Sequence, residues 1–291
     1  MIEEREIQEE PLPSQPASKR RKYPWAMLVI AAIFVIAAYL SWRGSWFGRE
    51  LSDSQMQEYL HDNEKPRHIQ HALSQINERI LKGDQSVKKW YADVASLANH
   101  PLPEVRAMAA WVMGQDNTQE EFHAALLSLL EDRHPNVRHN AALGLVRFKD
   151  DRAHPEIIEM LKPKTITATA YGTIELILKE EGIPAGAGAP LARIKQSAGQ
   201  VVEIRAPEDG RIGSLMVSDG ASVQMGSPVM MLLPSNDQAR EALRALYCIG
   251  REEDISYIQP YTRPMPGLRD DVQKQAAITL EAIRSGSVRC S

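Results

Sequence analysis

Cysteine is almost missing from this chain. Its 291 residues hold two, Cys248 and Cys290, far apart and in no CxxC or metal-ligand spacing, which excludes a disulfide-framework fold and a cysteine zinc site. Two readings of the pair stay open: a bond between them in an oxidising compartment, or a small core residue at 248 and a free thiol at 290. A basic excess is missing too, since the net charge is -4 and the pI about 6.1. Phosphate backbones need a concentrated basic face, so nucleic acid is not an expected partner. Catalytic signatures are the third absence. No Ser-His-Asp set and no paired carboxylates stand out, and the chain reads as a binding protein, not an enzyme.

At this length, 43% hydrophobic against 25% charged residues allows two modest domains with real cores and a tail. Residues 1–24 are rich in Glu, Pro, Ser and Gln without an apolar period, the pattern of a disordered cytoplasmic tail. Trp25 to Trp42 is an uncharged run of 18 residues, aromatic at both ends, which predicts a single N-terminal transmembrane helix over 25–42. Lys19, Arg20, Arg21 and Lys22 before it outnumber Arg43 and Arg49 after it. The positive-inside rule then keeps the N-terminus in the cytoplasm and carries the C-terminal domains to the periplasm, as in a single-pass protein of a bacterial inner membrane. A cleaved signal peptide fits less well, because the leader is long and no small-x-small site follows Leu40.

From Leu51 to Pro163 apolar residues return at helical spacing, broken by Pro, Asn, Asp and Gly into short paired helices. Val105-Arg106, Ala109-Ala110 and Met113 come back 32 positions on as Val137-Arg138, Ala141-Ala142 and Leu145, and again as Val272-Gln273, Ala276-Ala277 and Leu280. Small residues at adjacent turns let stacked helices approach, and His100-Pro101 and His134-Pro135 supply the reversals. In these residues the chain resembles the HEAT-repeat family, over residues 51–163 and again over 235–285. The resemblance implies a helical solenoid that serves as a scaffold or partner-binding surface.

Residues 165–234 change period from helical to two and contain a duplication. Ala168, Gly172, Ile174, Gly182, Gly188 and Pro190 recur 38 positions later as Ala206, Gly210, Ile212, Gly220, Gly226 and Pro228. Glu181-Gly182 and Asp219-Gly220 are tight-turn signals. The segment interrupts a repeat: Pro155 to Leu161 reads as a first helix whose partner begins only at Asn236, which requires the ends of the insertion to lie close together. Ala206-Pro207-Glu208-Asp209-Gly210-Arg211-Ile212 and the run from Asp219 to Val229 resemble the biotinyl/lipoyl carrier domain and its relatives in membrane-fusion adaptors. That resemblance implies a small all-β barrel-sandwich hybrid domain inserted in the solenoid.

In such carriers the modified lysine stands seven residues before the second Ala-Pro, which here is Gly199. No amide-linked cofactor forms without an amine, Lys195 is the nearest candidate, and no cofactor is expected. The hairpin Ser197, Ala198, Gly199 and Gln200 is instead a candidate protein contact. His68 and His71 do not make a metal site on their own. Met216, Met225, Met230 and Met231 read as filling for a small core, and Ala185 to Gly188 as a flexible turn before a strand. The expected function is a membrane-anchored periplasmic scaffold or adaptor with unidentified protein partners in a membrane complex. The alternatives are a carrier or accessory subunit of an enzyme, and a lyase-like cofactor-insertion role for the helical repeats. A 286–291 tail closes the chain.

Overall fold

The computed structural model describes residues 24–44, 50–197 and 199–287. The chain divides into two compact units, residues 1–50 and 51–291. In the first, α1 (Pro24–Gly44) is a helix, and the tail expected over 1–24 lies, up to Tyr23, outside the described residues. The expected transmembrane helix over 25–42 is not upheld: among the described residues no helix is long and apolar enough to cross a membrane. The single-pass inner-membrane location, the cytoplasmic N-terminus, the periplasmic placement of the C-terminal domains and the membrane contact are withdrawn with it.

The second unit is built from short helices led by proline. α2 (Asp53–Leu60) is capped by Ser52, and α3 (Pro66–Leu81), α5 (Pro103–Met113) and α7 (Pro135–Arg147) each open on a proline, whose missing N–H is an orphan donor there in any case. Between them lie α4 (Tyr91–Ser96), preceded by a 3-10 turn, then α6 (Glu120–Leu129) and α8 (His154–Glu159). After the β segment come α9 (Asn236–Ile249), α10 (Ile255–Ile258) and α11 (Asp270–Ser285). α3, α5, α7, α9 and α11 stack in that order as the second helices of successive pairs. Val105, Ala109, Ala110 and Met113 are fully buried, as are Val137, Ala141, Ala142 and Leu145. In the last copy Val272 and Ala276 are buried but Ala277 is exposed, since among the described residues no helix stacks beyond α11.

Two arginines lock successive pairs together. Arg106 Nε and Nη2 donate to the two carboxylate oxygens of Asp132 at 2.6 and 3.0 Å, and Nη1 donates to the carbonyls of His100 and Pro101 at 2.7 and 3.1 Å. Arg138 repeats the device, donating to the Asp132 carbonyl at 2.9 Å and to Glu156 at 3.1 Å. In the third copy Gln273 donates to the Thr262 carbonyl.

Between α8 and α9 run eight strands: β1 (Lys164–Thr167), β2 (Gly172–Leu176), β3 (Pro184–Ala185), β4 (Pro190–Lys195), β5 (Val201–Arg205), β6 (Gly210–Leu215), β7 (Ser222–Val223) and β8 (Pro228–Pro234). They form two four-stranded sheets ordered β1-β8-β6-β3 and β5-β4-β2-β7. Exchanging the halves, β1 for β5 and so on, turns one order into the other. The hydrogen bonds obey the same rule: Gly182 N–H donates to Ile212 as Gly220 N–H donates to Ile174, and Gly188 to Ala206 as Gly226 to Ala168. The 38-residue repeat is thus a two-fold relation between sheets, enclosing a core of its own around Ile174, Leu191, Ile194, Ile212, Val229 and Met230. Of the four methionines expected to fill that core only Met230 is buried, whereas Met216, just past the end of β6, and Met225, on a turn, are exposed.

The module is seated firmly on the helices. Antiparallel pairing of Lys164 with Leu232 brings its entry and exit strands side by side. Arg211, buried, donates to the Pro234 carbonyl at 3.1 Å and to the Pro266 carbonyl at 2.9 Å. A Cβ on Gly182 would lie 2.5 Å from the Gly267 nitrogen, so that turn fits only as glycine. Gln238 donates to the Met160 carbonyl and Tyr261 to the Leu161 carbonyl, rejoining α9 to the repeat that β1–β8 interrupt.

Candidate functional site

Two seams between second helices are closed. Gly114 and Gly144 let α5 and α7 nearly touch, with a Cβ on Gly114 falling 2.8 Å from Gly144 Cα, and Asn140 donates across to the Ala107 carbonyl at 2.8 Å. α9 and α11 are joined by Thr279, which donates to the Leu243 carbonyl at 2.8 Å, and by the Arg240–Asp271 ion pair. The seam between them is different: among the described residues no hydrogen bond or ion pair links α7 to α9.

Instead a groove follows it. At its middle a hollow of about 330 Å³ is lined by Leu143, Val146 and Arg147 of α7 and by Glu241, Arg244 and Cys248 of α9, with Ile278 of α11 beside them. Towards the β module it continues through Leu143 and Glu241 into a second hollow of about 360 Å³, reached by Trp111, Asn140, His139 and Asp209. In the other direction Val146, Arg147 and Cys248 lead into a third of about 620 Å³ beside Lys149 and Arg251. Trp111 and Ile278 expose large apolar surface along it.

The chemistry is that of a binding surface with an apolar floor and charged rims. Burial lowers the Arg147 guanidinium's affinity for its proton, and Glu241 opposes the effect. Arg147 is held by the Gly114 carbonyl and the Gln115 side chain. His139 is buried; burial, with Lys164 and Arg138 nearby, pushes its imidazole down to about 3, so it is neutral at physiological pH.

The residues singled out from the sequence are elsewhere. Ser197, Gly199 and Gln200 form the β4–β5 hairpin, where Gly199 has φ 82° and open space around it, and Gly199 N–H donates to Gln196. Ala198 lies outside the described residues. Lys195 pairs with Glu175 at 3.0 Å on the module surface. His68 bonds Asp62 at 2.6 Å and stacks on Tyr59. Among the described residues there is no cluster of His, Cys, Asp and Glu fit to hold a metal. Sequence reasoning missed the groove, although Glu241, Arg244 and Cys248 stand three to four positions apart on one face of α9. Cys248 is bonded in a disulfide.

A model of HEAT repeats matches residues 92–171, which covers α4 to α8 and the first strand. HEAT repeats are in general protein-interaction modules. Among solved structures, the chain is similar to a single-chain, multi-domain long-chain acyl-CoA carboxylase at 18% identity and a TM-score of 0.23, over 48% of this chain and 14% of the carboxylase. The chain therefore spans about a seventh of that structure's length. No curated protein matches.

Proposed function

We propose that the chain is a non-enzymatic scaffold or adaptor that holds a protein partner in the groove between α7 and α9. The observation that carries this reading is that groove: helix-long, apolar in its floor and unbridged, between two seams that are tightly closed. The β module, with glycine at the position a carrier lysine would take, serves in this reading as an unmodified second contact through the Ser197–Gln200 hairpin. Its fixed seating through Arg211 and Gly182 holds the two contacts at a constant separation.

The test is quantitative affinity purification of the full chain against Leu143→Asp and Arg244→Glu, with far-UV circular dichroism to verify folding. At least one partner should fall about tenfold or more in both variants, as expected for losing a contact worth ~1.4 kcal/mol or more. An unchanged set of partners would refute the groove, and a partner lost only on substituting Gln200 would move the site to the hairpin.

A further inference from the structure

The two ends of the groove differ in charge. The hollow nearest the β module is lined by Asp209, Asp237 and Glu241, but the chain's own arginines already answer two of these: Arg269 donates to Asp237 at 2.8 Å, and Arg240 and Arg244 stand 3.6 and 3.5 Å from Glu241. The opposite hollow is lined by Arg147, Lys149 and Arg251 with one carboxylate, Asp151. Arg251 has Asp151 and Glu253 at 3.6 Å, both on exposed side chains and beyond hydrogen-bond distance. Arg147 donates to neutral acceptors, the Gly114 carbonyl and the Gln115 side chain, and among the described residues neither it nor Lys149 is in an ion pair. The uncompensated charge of the groove is positive and sits at this end.

Lys149 is also held in a conformation that lysine ordinarily avoids. α3 and α11 are followed by glycine in the left-handed region, Gly83 at φ 75° and Gly286 at φ 65°. α7 closes as α3 does, with the N–H groups of Lys149 and Asp150 on the Val146 and Leu145 carbonyls as those of Gly83 and Asp84 are on Ile80 and Arg79, yet its left-handed residue is Lys149 at φ 59°. It is the only non-glycine residue at positive φ among the described residues, at a position where glycine is free of strain. Strain of this kind gathers at ligand clamps, and what lysine offers there over glycine is its ammonium group.

We infer that the groove takes an acidic amphipathic helix of a partner protein, with its apolar face on Leu143, Val146 and Ile278 and its carboxylates on Arg147, Lys149 and Arg251. The inference rests on the groove being the binding site proposed above and adds the sign and place of the partner's charge. An apolar floor running between two helices suits a helix laid into it, and guanidinium groups bind carboxylates in paired bonds.

The experiment measures fluorescence anisotropy of the full chain with two fluorescein-labelled peptides of 14 residues, the length of α9. Both carry leucine at one helical face and alanine elsewhere, with glutamate at the flanking positions of one and lysine at those of the other. The glutamate peptide should bind at least about tenfold more tightly, a difference of ~1.4 kcal/mol. Lys149→Gly should cut its affinity about threefold, and Lys149→Gly with Arg147→Gln about tenfold, the range for partly exposed charge pairs. Lys149→Gly relieves the left-handed strain and should melt no lower than the parent chain, which separates lost binding from lost folding. Equal binding of the two peptides, a preference for lysine, or a glutamate preference that neither variant moves would overturn the inference. So would displacement of the glutamate peptide by sodium phosphate at an ionic strength where sodium chloride leaves it bound, because the cations would then serve a free anion. Leu143→Ser reads the groove itself and should weaken both peptides at least about fivefold. Sensitivity to Leu143→Ser without a charge preference keeps the groove and removes the acidic partner, whereas binding by neither peptide refutes both.

Discussion

Replacing Arg106 by methionine tests whether the arginine lock holds the array together. The side chain is buried and uses three nitrogens on four acceptors: both oxygens of Asp132, and the carbonyls of His100 and Pro101. Methionine fills much of the volume but donates nothing, leaving Asp132, itself nine-tenths buried, with only the His134 backbone N–H and ring beside it. Breaking one partner of a buried ion pair costs about 3–5 kcal/mol, a large part of the roughly 5–15 kcal/mol a domain has. Urea unfolding followed by circular dichroism should show that loss, while the double variant Arg106→Met with Asp132→Leu should recover part of it, because no charge is then left buried alone. Acid titration gives a second view. Burial would raise the Asp132 carboxyl, but bonds from Arg106 and His134 outweigh it and hold it at about 2. Its contribution is thus fully present above the ordinary value near 4 and is lost as pH falls through about 2. A loss below about 1 kcal/mol for Arg106→Met, the level of an exposed pair, would refute the reasoning.

Other perturbations separate the remaining parts. Gly182 and Gly220 are twins with φ of 86° and 79°, but only Gly182 has backbone against it; Gly220→Ala should cost about 1 kcal/mol of backbone strain and Gly182→Ala clearly more, a difference readable in thermal melting and absent if the module floats free of the 265–268 loop. Since His139 is held neutral down to about 3, the unfolded chain binds the extra proton first as pH falls below 6.5. Stability should therefore drop by about 2 kcal/mol between pH 7 and 5 on this account, and His139→Gln should abolish that part of the slope. Gly199→Lys places an amine in open space at positive φ; the chain should fold with a loss of about 1 kcal/mol, and a loss above about 3 would show that the hairpin packs against something.

The helical repeats were legible because their small and branched residues recur in register and fall on buried faces: Val105, Ala109 and Ala110 have the same role as Val137, Ala141 and Ala142. The doubling within 168–228 was legible because glycine at a tight turn has no substitute, so the repeat survived where side chains drifted. Partners across repeats were not. Arg106 marks the repeat in the sequence, but Asp132, 26 positions away, becomes its counter-ion only once α5 and α7 are stacked. Met216 and Met225 match Leu178 and Ala187 in the duplication and still face solvent, since both lie outside the strands. The run at 25–42 is apolar in the sequence, yet among the described residues no helix is long and apolar enough to cross a membrane.

The groove is the consequence of where the β module was inserted. In the two neighbouring seams, α5–α7 and α9–α11, close-packed glycines or side-chain bonds draw the helices together. α9 is delivered by β8. Its first turn is capped by Ser235, and bonds from Gln238 to Met160 and from Asn236 to Gly267 tie it to the split repeat and to the loop before α11. None of these anchors lies on α7, and Leu143 and Arg147 of α7 with Glu241 and Arg244 of α9 line the hollow left between the two helices. The β module thus acts on the array structurally: by holding α9 from its own side, it leaves a groove along the α7–α9 seam.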